Sequence, residues 1–284
     1  MRAIIVGGNG QLGQEFSQLL LDQAVVANRS SIDLQSMPSI EAFLDAHQPT
    51  VVLNCAAYNF VDRAESEADA AFATNAHAVH HLAKACQQRG IKFVHFSTDH
   101  VFGGDSQRSI PYCEGDLPAP VSVYGCSKLA GEHLALATCP SALIIRTCGL
   151  YSYLGSGGKG NNFVLTMLRL AERKTLKVID DQICSPTFAG DLAAKTLELL
   201  AVHAQGVFHI TNQGGCSWWE FAKTIFEYAN LDVEVQKIRT AEYGQPARRP
   251  AYSVLSSERL DTWGIAPLPT WRDAVRQFLK KSNL

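Results

Sequence analysis

The sequence predicts an α/β protein: a doubly wound parallel sheet with helices on both faces, followed by a smaller C-terminal lobe. Short, nearly continuous apolar runs alternate with longer amphipathic runs over the first 150 residues. This alternation is typical of parallel sheets that are buried on both faces. It stops at a glycine-rich segment, residues 151–162, which is predicted to be a loop between the two lobes.

Each element follows from the spacing of its apolar residues. Strands are predicted where short apolar runs occur, at residues 3–6, 24–28, 51–55, 92–97 and 142–146. Helices are predicted where apolar residues recur every three or four positions, at residues 12–22, 40–47, 67–89, 122–137, 163–173, 191–200 and 218–229. We therefore expect a first domain over residues 1–150, to which residues 178–200 return. Residues 151–284 would form mainly the second lobe, with Trp218 and Trp219 in its core.

Composition excludes several classes of protein. The chain has 284 residues, of which 46% are hydrophobic and 18% charged, and its net charge is -2. This charge gives no general attraction to nucleic acid. The eight cysteines are scattered without a CxxC pair, so neither a metal site nor a disulfide framework is expected. The first residues enter a strand directly, and no apolar run reaches about 20 residues. A cytoplasmic protein without a membrane segment is therefore expected.

A glycine motif follows the first predicted strand and opens the first helix, reading Gly7-Gly8-Asn9-Gly10-Gln11-Leu12-Gly13. In this context Gly7 allows a tight turn, Gly10 lets a pyrophosphate approach the backbone, and Gly13 lets the helix pack closely on the sheet. The helix N-terminus, with Gln11 and Leu12, then faces the phosphates. The motif predicts a dinucleotide-binding Rossmann domain.

The end of the second predicted strand indicates which dinucleotide is bound. Proteins that bind NAD usually place an acidic residue there to hold the ribose 2′-hydroxyl. This chain has Asn28 and Arg29 instead. Arg29 could pair with a 2′-phosphate, which favours NADPH and leaves NADH as the alternative, although a solvated surface arginine is also compatible. Asp33 is a candidate contact to the adenine.

Three residues together predict a carbonyl-reduction site. Tyr124 and Lys128 are spaced to lie on one helix face, where an ammonium could lower the tyrosine pKa from about 10. Thr98 ends a predicted strand, and ligands bind at the carboxyl ends of such strands. We expect Thr98 and Tyr124 to polarise a carbonyl oxygen, and Tyr124 to supply the proton after hydride arrives from the cofactor.

With these residues the chain resembles the extended short-chain dehydrogenases/reductases, and most closely the dTDP-4-dehydrorhamnose reductase family. Residues 54–65 resemble the family's NAAYxxVDxAE stretch, and residues 97–102 resemble STDYVF. The resemblance implies that Ala56, Ala57 and Tyr58 line the cofactor and that Lys128 also holds the nicotinamide ribose. It further implies reduction of the 4-keto group of dTDP-4-dehydrorhamnose by NADPH. The oligomeric state stays open, with a homodimer as the candidate assembly.

The same resemblance assigns substrate contacts, and the departures from the family pattern cluster there. Thr98 and Asp99 are expected to meet the sugar. Gly149 stands where the family has a substrate-contacting tryptophan, and His100 replaces the tyrosine of STDYVF. Arg249 could meet a diphosphate or be a surface residue. Two other readings therefore remain: a reductase or epimerase of another nucleotide sugar, and a non-catalytic regulatory subunit that keeps the nucleotide.

Overall fold

The computed structural model describes residues 1–155 and 161–281. Its strands, in chain order, are β1 (Ala3–Val6), β2 (Ala24–Ala27), β3 (Val51–Asn54), β4 (Lys92–Thr98), β5 (Leu143–Thr147), β6 (Leu150–Tyr151), β7 (Thr175–Ile179), β8 (Ile183–Cys184), β9 (Thr187–Phe188), β10 (Gly206–His209), β11 (Cys216–Ser217) and β12 (Glu234–Ile238). Its α-helices are α1 (Gln11–Leu20), α2 (Met37–His47), α3 (Val61–Ala64), α4 (Ala68–Phe72), α5 (Ala78–Gln88), α6 (Val123–Thr138), α7 (Phe163–Leu170), α8 (Ala189–Ala201), α9 (Trp218–Tyr228), α10 (Thr240–Tyr243) and α11 (Trp271–Lys281).

The central sheet confirms the doubly wound prediction. Six strands lie in the order β10-β5-β4-β3-β1-β2, and all their pairings are parallel. Ala3 of β1 is in register with Ala24 of β2 on one side and Val51 of β3 on the other. The chain thus adds β2 on one side of β1 and then adds β3, β4, β5 and β10 on the other side. Such a reversal opens a crevice at the carboxyl ends of the strands, where ligands bind.

Helices cover both faces of this sheet, which explains its apolar strands. On one face α1 and α8 pack against the strands through a buried cluster that includes Phe16 and Leu192. On the other face α2, α5 and α6 pack through a second cluster that includes Ile40, Leu82 and Ala135. The crevice therefore lies at the edge of a sheet whose two faces are both packed against helices.

The smaller lobe has a core of its own. Helices α7, α9 and α11 pack with β7 around Tyr151, Phe221 and Phe278, and β7 pairs with β12. Helix α8 and strand β10, by contrast, belong to the sheet side of the molecule, as does the 3-10 helix Glu258–Trp263 through its buried Leu260. From this packing we propose that these later segments, although they follow the second lobe's first residues in sequence, belong to the first domain.

The long helix predicted over residues 67–89 is divided. Helices α4 and α5 are separated by a π-helical turn, Ala73–His77. Asn75 in this turn holds the backbone of Tyr58 on both sides, accepting from its N–H at 2.8 Å and donating to its carbonyl at 2.9 Å. Single π-helical turns are frequent at functional sites because they re-aim side chains. The spacing of apolar residues does not distinguish such a turn from a continuous α-helix, so it was not predicted. Of the loop predicted over residues 151–162, residues 156–160 lie outside the described part.

The structure also shows the state of the cysteines and whether its helices could span a membrane. All eight cysteines are free thiols, and five of them are buried. In residues 1–155 and 161–281, none of the helices combines the length and the apolar character needed to cross a bilayer.

Candidate functional site

Two adjoining cavities open at the carboxyl ends of the central strands. One, of about 850 Å³, lies beside the ends of β1 and β2. The other, of about 520 Å³, lies between the sheet and the smaller lobe. Gly10, Cys55, Ala57 and Asn59 line both. The cavities therefore form one groove at the topological position where dinucleotides bind.

The larger cavity contains much of the predicted cofactor site. Its lining includes Gly7, Gly10, Arg29, Asp33, Ala56 and Ala57. Gly7 has a φ of +77°, and a Cβ there would lie 2.6 Å from the backbone N of Ala56, so the turn accepts only glycine. Helix α1 begins next to Gly10 without a capping side chain. Its first N–H groups are available to an anion, and the cavity fits a dinucleotide phosphate.

Gly13 does not line either cavity and acts through packing. A Cβ on Gly13 would lie 2.5 Å from the Cα of Gly8 and 2.6 Å from the carbonyl oxygen of Gly7. Only a hydrogen leaves room for α1 to sit this close to the phosphate loop. The geometry agrees with the close helix packing that the motif predicts.

Arg29 and Asp33, which were predicted to contact a 2′-phosphate and the adenine, both line the larger cavity. Arg29 is exposed at its rim, and Asp33 lies further along the same wall. Asn28, the residue that stands where an acid would bind a 2′-hydroxyl, is engaged locally: its Oδ1 accepts from the N–H and hydroxyl of Ser30 at 3.0 and 2.6 Å. At positions 28 and 29 the chain therefore has an amide and a guanidinium where a carboxylate would hold a 2′-hydroxyl, and the guanidinium suits a 2′-phosphate.

Tyr58 and Gln11 are placed differently from a simple cofactor contact. The Tyr58 hydroxyl donates to Glu67 at 2.5 Å, and this residue lines neither cavity. Gln11 does line the smaller cavity together with Leu12. Its side chain bridges the lobes, donating to the Leu150 carbonyl at 3.3 Å and accepting from Asn162 at 2.9 Å. Gln11 is therefore placed to link the phosphate loop to the smaller lobe.

The smaller cavity brings the predicted reduction residues together. Thr98, Asp99, Tyr124, Lys128 and Gly149 all line it, although they come from three separate segments. Asp99 is 4% exposed, and its carboxylate is occupied by three protein donors: the hydroxyl of Thr98 at 3.2 Å, Ser253 at 2.6 Å and the Cys148 thiol at 3.0 Å. Its primary role in the geometry is to orient these neighbours.

Tyr124 differs from the prediction in its acidity. Burial raises its pKa to about 12; a hydrogen bond with Thr98 lowers it, and the charge of Asp99 raises it. The expected lowering by Lys128 is wrong for this arrangement, because the ammonium is turned toward β4. An aliphatic alcohol is about as weak an acid as water, which has a pKa of 15.7. The phenol of Tyr124 therefore remains the stronger acid. Tyr124 can therefore protonate an alkoxide.

Lys128 is 1% exposed and is held by the strand beneath it. Its Nζ donates to the carbonyl oxygen of Phe96 at 2.6 Å and lies 3.3 Å from Nε2 of His95. Burial lowers its pKa to about 8, against an opposing contribution from Glu132 and Cys55. Lys128 thus titrates within the range in which enzymes work.

The remaining substrate candidates have structural partners as well. Gly149 has a φ of +53°, and a Cβ there would lie 3.3 Å from the Trp218 ring. Trp218 both packs on Phe163, with ring centres 4.7 Å apart, and lines the cavity. Arg249 also lines the cavity, but its guanidinium forms a two-point ion pair with Asp62 at 2.8 and 3.0 Å. This pair ties the C-terminal segment to the start of α3.

Other site residues were not predicted. The hydroxyls of Ser97 and Thr147 line the cavity, and both are buried without a hydrogen-bond partner among the described residues. Such hydroxyls are candidate ligand contacts, since buried polar groups are normally paired. Ser97 belongs to the STDYVF-like stretch and could have been found there, whereas Asn75 and His95 follow no local pattern. Within the described ranges no group of three or more His, Cys, Asp or Glu is placed to hold a metal.

Comparison with known proteins agrees with this geometry. The spore coat polysaccharide biosynthesis protein SpsK of Bacillus subtilis is 38% identical over 99% of this chain and 98% of its own. A dTDP-4-dehydrorhamnose reductase of Sinorhizobium fredii is 37% identical over 98% of this chain and 97% of its own. The crystal structure of dTDP-4-dehydrorhamnose reductase from Bacillus anthracis in complex with NADP has a TM-score of 0.94 and 38% identity, and covers 99% of each chain. The family model described as RmlD substrate binding domain matches residues 1–284, and the chain belongs to this family.

Proposed function

We propose that this chain is an NADPH-dependent reductase of the 4-keto group of a nucleotide-linked sugar, with dTDP-4-dehydrorhamnose as its foremost candidate substrate. One observation carries the proposal: Thr98, Tyr124 and Lys128 line a single cavity that opens into the groove of the phosphate loop. The names of the Sinorhizobium fredii and Bacillus anthracis relatives point to the same substrate.

NADPH would lie along the groove with its phosphates at the N-terminus of α1 and its 2′-phosphate beside Arg29. Gly7 and Gly10 let it approach the backbone, and Ala56 and Ala57 form the facing wall. When bound there, the cofactor supplies a hydride to the substrate carbonyl carbon. The NADP in the Bacillus anthracis relative supports this choice over NADH.

The residues of the smaller cavity would handle the oxygen and its proton. Hydroxyls of Thr98 and Tyr124 donate to the carbonyl oxygen and stabilise the negative charge that develops on it. The proton of Tyr124 then passes to the alkoxide and leaves an alcohol. Lys128 lies one turn further along α6 and lines the same cavity. It can therefore supply a proton to the site after Tyr124 has given up its own. In the free protein the single hydrogen of the Thr98 hydroxyl is donated to Asp99 at 3.2 Å, and it would turn to the carbonyl oxygen when the substrate is bound.

We also propose that the enzyme works in a reducing compartment, the cytoplasm. Its eight free thiols support this, because disulfides persist mainly in oxidising environments. The homodimer stays a prediction, to be checked by light scattering on the purified chain.

The deciding experiment measures NADPH oxidation with a panel of 4-keto nucleotide sugars, using Tyr124→Phe as the matched control. The panel should vary the base, the sugar configuration and the 6-deoxy group separately. We expect oxidation with dTDP-4-dehydrorhamnose in the wild type and a rate at least about 100-fold lower in the variant. Turnover of another 4-keto sugar alone would favour the reading as a reductase of a different nucleotide sugar. NADPH binding without oxidation of any member would favour the regulatory subunit.

A further inference from the structure

A buried polar chain runs beneath the cavity and ends at Lys128. Nδ2 of Asn54 lies 3.1 Å from Nδ1 of His95, and Nε2 of His95 lies 3.3 Å from Nζ of Lys128. The three residues belong to β3, β4 and α6, and their exposed fractions are 2%, 0% and 1%. Solvent therefore does not compete for these contacts, and their donor and acceptor directions must be mutually consistent.

The backbone decides the direction of the first contact. The N–H of Ala56 donates to Oδ1 of Asn54 at 3.2 Å, which leaves the Nδ2 donor facing His95. Nδ1 of His95 must then accept, and a neutral ring carries its hydrogen on Nε2. Turning over the Asn54 amide would instead set Nδ2 against the N–H of Ala56, so that two donors would face each other.

The second contact concerns the charge of Lys128. Burial, with the nearby charge of Lys128, lowers the pKa of His95 well below its usual value, so the ring is neutral. Its Nε2–H points at Nζ. An ammonium has only donors, whereas an amine has a lone pair that can accept this hydrogen. The Phe96 carbonyl accepts from Nζ in either state, so it holds the position of Nζ without selecting its charge.

We propose that His95, oriented by Asn54, is a positioning residue that favours the amine form of Lys128 over the ammonium form. The purpose of this arrangement rests on the proposed function: Lys128 exchanges a proton with the cavity beneath Tyr124 instead of carrying a fixed charge.

Other groups around Nζ oppose His95. Glu132, one turn along α6, and Cys55, just after β3, both raise the pKa of Lys128. Arg146 of β5 pairs with Glu132 at 2.7 Å and offsets its charge. The pKa of Lys128 is still lowered to about 8, first of all by burial. The Nε2–H tautomer of His95, like burial, is expected to lower the pKa of Lys128.

Two substitutions reverse the contact by different routes. His95→Gln can place an amide oxygen, an acceptor, where the Nε2–H now lies. Asn54→Asp retains an acceptor for Ala56 but also accepts from Nδ1–H of His95, which moves the ring hydrogen and turns Nε2 into an acceptor. Each change favours the ammonium, and we expect the Lys128 titration to move upward by about 1 pH unit in each.

The titration is followed by NMR on the free enzyme with 13Cε-labelled lysine, the Lys128 signal being the one that Lys128→Met removes. His80→Gln is the matched control, because His80 is a partly buried histidine whose ring contacts Thr138 at 2.9 Å, outside both cavities. We expect no shift of the Lys128 signal in that control.

An unchanged or lower Lys128 pKa in the substituted enzymes overturns the proposal, and an upward shift supports it. Should His95→Gln fail to fold, His95→Asn takes its place in the same measurement, and Asn54→Asp is interpreted only beside one of them, because the negative charge of a buried aspartate would by itself raise the pKa of Lys128. The titration needs neither cofactor nor substrate, so its outcome is independent of the sugar panel that tests the proposed function. A matching upward shift in the pH profile of kcat/KM would connect the two.

Discussion

Replacing Lys128 with methionine should stabilise the free protein while removing its activity. Lys128 is 1% exposed, and its pKa is lowered from 10.5 to about 8. At 1.36 kcal/mol per pKa unit, this shift corresponds to a cost of about 3 kcal/mol for holding the ammonium in the fold at pH 7. Methionine loses the hydrogen bond to Phe96, worth about 1 kcal/mol, so a net gain of about 2 kcal/mol is expected.

The pH dependence is the sharper part of this prediction. Because the folded pKa of Lys128 lies below its unfolded value, the unfolded wild type binds more protons between about pH 8 and 10.5. Wild-type stability therefore gains from this residue as the pH rises through that window, and the full cost is present below it. The advantage of Lys128→Met should shrink by about 3 kcal/mol between pH 7 and pH 10.5.

Urea unfolding of both proteins at several pH values, followed by circular dichroism, measures the difference directly. Groups that do not sense the charge of Lys128 contribute equally to both proteins and cancel in it; His95 and Cys55 do sense it, but in the folded protein both are neutral through this pH window. A difference in free energy of unfolding that does not vary with pH would refute the assignment of this pKa to Lys128. Loss of activity in the variant is expected in any case, since Lys128 lines the cavity.

Four other changes test separate parts of the site. Tyr124→Phe should lower kcat by about 100-fold or more while the Kd for NADPH, from a fluorescence titration, stays within about twofold; full activity would remove Tyr124 as the acid. Arg29→Ala should weaken NADPH about 10-fold and NADH little, and equal losses in Kd would exclude a 2′-phosphate contact. Gly149→Ala should cost about 1–2 kcal/mol in urea unfolding, because alanine must adopt a φ of +53°; an unchanged midpoint would contradict this strain. Glu132→Gln removes the negative charge that pairs with the buried Arg146 at 2.7 Å and should cost about 3–5 kcal/mol, which an unfolding curve matching the wild type would disprove.

Local patterns were enough to predict the architecture. Each strand of the sheet except β10 was predicted as an apolar run, and the helices on its faces followed from apolar spacing, because both patterns come from neighbours in sequence. Strand β10, Gly206–His209, was missed; it is short and only partly buried. The π-helical turn at Asn75 was missed for another reason: its Asn75 side chain pairs with the backbone of Tyr58, seventeen positions earlier in the chain, and such a contact leaves no local pattern.

The candidate site divides in the same way. The glycine turn at Gly7 and the trio Thr98, Tyr124 and Lys128 were predicted to share one groove, and they line it. The electrostatics of the trio were not predicted correctly. Tyr124 has a raised pKa because its surroundings are buried and Lys128 is turned to β4, and no pattern of residue types contains that direction.

The sequence by itself determined which chemical groups are present and roughly where the chain would bring them, since motif and periodicity are local properties. Tertiary structure alone decided which partner each polar group takes. Asp99 is occupied by Ser253 and Cys148, Arg249 is paired with Asp62, and Lys128 lies against His95. These contacts join segments far apart in sequence, and in a buried site one contact excludes another. The pairing, and with it the acidity of each group, is therefore a property of the whole fold.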